Sequence, residues 1–320
     1  MNTASVRKFA LRVLKTLALP LVVYLFFKML RPDTFGSPAA LYIIAQQTTI
    51  TLIISLGICC SMAIGIWDFS PGAIVTLAAL ISGYYCSRFG LAGLILSGLT
   101  AGLLFGLIDA VLYSVLKIPS VVVTIGFLLV YESLGTVYKG GKGFSITRAQ
   151  AVLGSAPWIF LITGALIVIM YLLYNKTKFG LHVRAVGNGE FIAKTVGINP
   201  AKVKFSAFFV SGVFFGIAGI MMLSYSTAIA PEKNMATMSI TFDAMMGVFI
   251  GFALSGVCNP VIGTVIGSFC MKLLSAGLVA VGVNGTWQKV IVGLFLLFFL
   301  CFAQIKELVR KAIPRKDAAL

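Results

Sequence analysis

Ten predominantly apolar stretches, each near the roughly twenty residues that a helix needs to cross a bilayer, constrain this chain more than any other feature. They run approximately over 13–30, 39–64, 72–87, 91–114, 119–137, 157–174, 205–224, 238–255, 261–280 and 286–304. The second carries Gln46, Gln47 and several threonines, and the third is short. Only 11% of the residues are charged, against about a quarter in soluble domains, and mean hydropathy is +1.04. The expected fold is all-α: one polytopic transmembrane domain over 1–320 with about ten spans. Val13–Leu30 follows a basic start, as a signal peptide would, but no small-residue cleavage site comes after it, so it reads as a retained first span.

The net charge is +16. No basic patch is interleaved with aromatics, so nucleic acid is not an expected partner. The cations sit at the ends of apolar spans, and the positive-inside rule orients the chain. With both termini cytoplasmic, Arg7, Lys8, Arg12, Lys15, Lys117, Lys306, Arg310, Lys311, Arg315 and Lys316 fall inside together with the basic segment 175–204. Fewer fall outside: Lys28, Arg31, Arg88, Lys139, Lys142, Arg148, Lys233 and Lys289, with Lys272 inside a span. The six cysteines show no CxxC or zinc spacing and read as small buried packing residues.

The one extended polar segment between the termini is Asn175–Lys204, with Lys176, Lys178, Arg184, Lys194, Lys202, Lys204, Glu190 and the single histidine, His182, which reads as a solvated loop residue. A short helix over 189–196 is expected within it. Asn188 suits its N-cap, Glu190 its positive start and Gly197 a left-handed C′ position, with Pro200 just beyond. Phe191 and Ile192 with Thr195 and Val196 form a semi-apolar face. A helix of about two turns does not hold in water by itself. Phe191, Ile192, Ala193 and Lys194 are therefore candidates for contact with a soluble partner; a linker lying on lipid headgroups is the alternative.

Gly98, Gly102 and Gly106 recur every four residues, as do Gly212 with Gly216 and Gly263 with Gly267. These are the small-residue grooves through which helices approach one another in lipid. Spans two to five and seven to ten form two four-helix blocks of opposite orientation, compatible with an inverted repeat. Two longer outer loops, 138–158 and 224–238, either receive a partner or connect helices.

No catalytic motif and no metal-ligand spacing is present; GTVYKGGKG over 135–143 lacks the G-K-[ST] ending of a phosphate loop. The acids within spans are Asp68, Asp109, Glu132 and Asp243, all expected close to span ends or polar loops. In IGIWDFSPGAIVTL, Ser70 can cap a helix beginning at Pro71 with Asp68 near its positive end. Alternatively Trp67, Asp68, Phe69 and Ser70 form a gate or pathway segment where the helical run breaks.

Three passages carry a family resemblance. The segment 64–83 resembles a signature around GGIDLSVGSVLAL at Ile66, Asp68, Ser70 and Gly72. The segment 177–204 is similar to a T-x-x-G-x-x-x-x-A-x-G-G-N-x-x-A-A-x-x-x-G-I loop, and 242–251 with 263–269 resembles a later block. The chain thus resembles the permease subunits of bacterial ATP-binding-cassette importers for monosaccharides, the ribose/autoinducer-type inner-membrane permeases. Trp67, Phe69 and Pro71 depart from that signature, and GFALSGVCNP over 251–260 replaces a glycine-rich stretch. The resemblance implies a non-enzymatic permease without a cofactor of its own. Its partners would be an ATP-binding subunit holding ATP and Mg, an extracytoplasmic substrate-binding protein and a second permease subunit, identical or related. The helix at 189–196 would then be the coupling helix. A nucleoside permease of this type and a secondary carrier are the alternatives.

Overall fold

A computed structural model describes residues 3–116 and 118–312. Lys117, Arg315 and Lys316 lie outside the described residues, as do the side chains of Arg7, Lys8, Arg12, Lys15, Lys306, Arg310 and Lys311. The chain folds as α1 (Thr3–Leu30), α2 (Pro32–Phe35), α3 (Pro38–Ala63), α4 (Pro71–Leu116), α5 (Ser120–Val137), β1 (Phe144–Ser145), α6 (Trp158–Lys176), α7 (Lys178–Asn188), α8 (Glu190–Thr195), α9 (Pro200–Ser226), β2 (Ala228–Ile229), α10 (Met238–Ala253), α11 (Pro260–Val281) and α12 (Gly285–Ala312). Six of these, α3, α4, α5, α6, α9 and α11, are long and apolar enough to cross a membrane. Shorter apolar stretches lie at Thr16–Leu30, Met238–Ala253 and Gly285–Phe298. Helix α4 breaks at Gly90, whose φ of 60° and ψ of −147° are not helical, so it holds both the third and fourth expected spans.

The most polar of the expected spans is the central helix. In α3, 72% of the apolar window is buried inside the protein. Thr48 and Thr49 donate to the carbonyls of Ile44 and Gln46 on their own helix, and Ser55 donates to Ala244 O at 2.9 Å. Side chains that would be costly against lipid thus bond within the bundle. Buried Leu52, Ile53, Ile54, Leu56 and Ile58 join Phe208, Phe214 and Phe215 of α9 in the main core.

The glycine grooves bring α4 and α9 into backbone contact. A Cβ placed on Gly102 would meet Gly216 Cα and lie 2.5 Å from Gly212 O, and one on Gly106 would lie 2.6 Å from Gly212 Cα. Gly263 and Gly267 of α11 sit equally tightly against Gly251 and Gly247 of α10. The two longer loops, 138–158 and 224–238, pair with each other: Phe144 lies opposite Ile229 in a two-stranded antiparallel sheet, and Ile146 N donates to Thr227 O at 2.8 Å. Of the cysteines, Cys59, Cys60, Cys86 and Cys270 are buried and Cys258 is half-buried. Cys301 is exposed on α12, which corrects the buried expectation for that residue.

Gly102→Val should force α4 and α9 apart, at a cost of about 1–3 kcal/mol for overpacking. Gly126→Ala, where an added Cβ meets nothing within 4 Å, should not destabilise. Thermal unfolding in detergent measures both; equal midpoints would mean that the groove does not set the helix spacing.

Candidate functional site

Between α3 and α4 the chain leaves the helical conformation. Gly65 takes a left-handed φ of 77°, and Pro71, which has no N–H, opens α4. Unwound backbone at membrane depth is tolerated only when protein groups or water satisfy it, and here three side chains from two other helices, α5 and α10, do so. Trp67 N donates to Ser120 Oγ at 3.2 Å, and the Thr124 hydroxyl lies 3.2 Å from Trp67 O. Thr241 Oγ1 accepts from Gly72 N at 2.8 Å and faces Phe69 O.

The Ser70 carbonyl accepts the first helical bond of α4, from Ile74 N, so Ser70 stands at the N-cap as expected. Its side chain is used differently. Ser70 Oγ lies 2.7 Å from Asp68 Oδ1 and 2.8 Å from Asp109 Oδ2. Asp68 Oδ1 also accepts from Ser70 N at 3.0 Å, and Tyr131 donates its hydroxyl to Asp109 Oδ1. Asp68, Ser70, Asp109 and Tyr131 are all buried. One serine hydroxyl has one hydrogen for two carboxyl neighbours, so the arrangement closes only when one carboxyl carries a proton. Asp68 Oδ2 has no hydrogen-bond partner among the described residues.

Asp68 lies between the ends of α3 and α4, as expected, and Asp109, two turns before the end of α4, meets it through Ser70 inside the bundle. Of the four proposed pathway residues, Asp68, Phe69 and Ser70 are buried and Trp67 is 45% exposed, its ring 5.4 Å from Phe249. Glu132 is buried too, and accepts from Met235 N, Thr237 N and Thr237 Oγ1, which fixes the turn that opens α10.

On the side away from the strand pair, the basic segment forms two helices where one was expected. Helix α7 runs through Asn188, so Asn188 is its last residue and not the N-cap of α8; that place belongs to Gly189, which has no side chain to cap with. His182 lies half-buried on α7, which corrects its reading as a loop residue. Gly187 packs against Ala63 at the end of α3 so closely that a Cβ would collide with the Ala63 carbonyl. Gly180 and Gly187, two turns apart on one face, were a legible signal for this docked helix.

Helix α8 ends as expected. Gly197 has φ 82°, and Ile198 N donates to Ala193 O while Gly197 N donates to Lys194 O, each at 3.0 Å. This is the paired bonding of a Schellman motif. Glu190 accepts from Lys204 at 2.8 Å, with Lys194 at 3.6 Å. The bond from Lys204 holds the Glu190 carboxyl below its usual range. Ala193 is buried, whereas Phe191 is 79%, Ile192 65% and Val196 68% exposed.

A helical bundle of this length, with an unwound segment in its core and a docked basic helix pair at one end, defines a polytopic membrane permease. The family described as the permease component of branched-chain amino acid transport systems matches residues 40–300, and the chain belongs to it. It is 30% identical to the autoinducer 2 import system permease protein LsrC of Yersinia pestis (strain Pestoides F) over 267 residues, 81% of this chain and 75% of that one. It is 27% identical to the galactose/methyl galactoside import permease protein MglC of Escherichia coli (strain K12) over 314 residues, 89% of this chain and 92% of that one. No solved structure matches. The chain is thus a multi-pass inner-membrane permease subunit of an ATP-binding-cassette importer.

Asp109→Asn retains an acceptor for Tyr131 and supplies a donor to Ser70, and Asp68→Asn retains the Oδ1 acceptor; both should keep the fold intact. Asp109→Leu leaves the Tyr131 hydroxyl without this partner and should cost about 1–3 kcal/mol. Thermal unfolding of the purified chain distinguishes them, and equal stability of the Asn and Leu variants at 109 would show that these bonds do not hold the segment.

Proposed function

We propose that this permease imports a monosaccharide, as the relatives' names for galactose and methyl galactoside suggest, and that α8 is the helix through which ATP hydrolysis in a partner subunit is coupled to it. The supporting observation is the outward face of α8. A six-residue helix held by a Schellman motif and by Glu190–Lys204 exposes Phe191, Ile192 and Val196, and so presents apolar side chains on a fixed support. A linker lying on headgroups would not need such fixation. ATP and Mg are bound by the partner ATPase, an extracytoplasmic binding protein delivers the solute, and a second permease subunit completes the pathway. Asn188, Glu190, Lys194 and Gly197 then serve to position the helix, and Ala193 to seat it. The buried Asp68–Asp109 pair favours a proton-coupled carrier. Uptake of D-galactose in vesicles that depends on ATP, and survives collapse of the proton gradient, excludes that reading; a panel including nucleosides tests the solute.

Burying a Phe ring is worth roughly 1.5–3 kcal/mol, so Phe191→Ala should weaken ATPase association by about one to two decades. Gly197→Val should also impair it, because a β-branched residue resists the left-handed conformation. The measurement is ATPase recovery with the purified permease and stimulation of hydrolysis by loaded binding protein. Full recovery and stimulation in both variants would leave α8 as a lipid-surface linker.

In this reading both termini and 175–204 are cytoplasmic. A cysteine at Asn188 should be labelled by an impermeant reagent only from the cytoplasmic side, and one at Lys142 only from the outside. Labelling of both from one side would overturn the orientation.

A further inference from the structure

Beyond the buried acids, one charged pair stands on the outer surface of the membrane-spanning bundle. Lys272 Nζ of α11 lies 3.5 Å from Asp243 Oδ2 of α10, with the two side chains 23% and 52% exposed. The pair is deep. Lys272 stands ten residues before Gly282, the cap of α11, which places it about 15 Å below that end. The start of α10 is recessed as well. Thr237 and Thr241 pack on Gly72, while Gly83 of the same helix meets Phe144 of the strand pair, about 16 Å further along.

Charged side chains at such depth face a bundle interior or a water-filled cavity, because hydrocarbon solvates them poorly. Among the described residues Lys272 pairs with Asp243, and the Asp243 side chain stays 52% exposed. The same face of α10 carries exposed Ser239 and Phe242, 40% exposed. Phe249, two turns on from Phe242, carries the ring of Trp67. Polar groups and aromatic rings thus share one strip along the outward face of α10, which Trp67 continues.

We propose that Ser239, Phe242, Asp243, Lys272 and Trp67 line a water-filled passage selective for a neutral polyhydroxylated solute. This rests on the import reading above. The paired carboxylate and ammonium accept and donate hydrogen bonds to hydroxyls, while the rings of Trp67 and Phe242 offer flat surfaces to the C–H faces of the solute. The pair carries no net charge, so an ionic solute gains no attraction from it and must compete with one of its members. Asp243 and Lys272 act here as specificity-determining residues.

The test measures water access directly. In the full importer, with the six native cysteines replaced by alanine or serine, Ser239→Cys, Asp243→Cys and Val168→Cys are exposed to a charged, membrane-impermeant thiol reagent. Val168 is an exposed apolar position midway along α6. Positions 239 and 243 should react at least about tenfold faster than 168, since a charged reagent avoids hydrocarbon. The Ser239→Cys variant keeps the ion pair, so its labelling decides the matter if Asp243→Cys fails to assemble. The charged adduct at 239 should also lower D-galactose uptake at least about tenfold, whereas treatment of Val168→Cys should leave it unchanged. Reaction at 239 no faster than at 168, or uptake indifferent to the adduct at 239, would overturn the proposal. Labelling reports water whichever solute is carried. A failure of the import reading appears separately, as absence of ATP-driven uptake by the untreated chain.

Discussion

Backbone that leaves a helix within a membrane has to find hydrogen-bond partners there, and this requirement organises the bundle around the segment from Gly65 to Ser70. Its partners come from α5, through Ser120 and Thr124, and from α10, through Thr241, while Asp68 bonds Ser70 N locally. Helices α5 and α10 are themselves joined, because Glu132 accepts from the backbone at Met235 and Thr237. A rigid frame therefore holds an irregular segment that would otherwise expose unpaired groups to hydrocarbon.

Close packing is the second condition. There is no hydrophobic drive between helices in lipid, so contact has to come from shape, and the glycines of α4, α9, α10 and α11 supply it by removing side chains where backbones meet. The result places Asp109 of α4 within reach of Ser70. Were α4 held a side chain's width further from α9, the carboxyl would have to find another partner for its buried oxygens.

The legible part of this architecture was the part written locally. Apolar length marked the spans, and Gly197 with Pro200 marked the end of α8, because each signal acts through its own few residues. Asn188 misled for the same reason: it is a strong N-cap residue, but α7 extends through it and shifts the cap to Gly189. The meeting of Asp68 with Asp109 and Tyr131 depends on three segments far apart in sequence, which no local pattern encodes. Helix α7 was overlooked because its charges resemble those of a loop, although Phe179, Val183 and Val186 recur at helical spacing on the face that docks, beside Gly180 and Gly187.

Gly187 also determines how motion in one part can reach the other. Helix α8 follows α7 with only Gly189 between them, and α7 touches the last turn of α3 with no side chain interposed, Gly187 against the Ala63 carbonyl. The chain leaves the helix immediately after that contact and enters the unwound segment. In the coupling role proposed above, a displacement of α8 by a partner would bear on the end of α3 through packed backbone, which deforms little. Beyond Ala63 the path is irregular, held by side chains of α5 and α10 in place of a helical ladder. The carboxyl pair is well suited to that position: Ser70 can direct its single hydrogen to Asp68 or to Asp109, so the network admits two arrangements of the same atoms. Coupling between distant sites requires an element with discrete alternatives, and in the coupling role proposed above this segment would supply one.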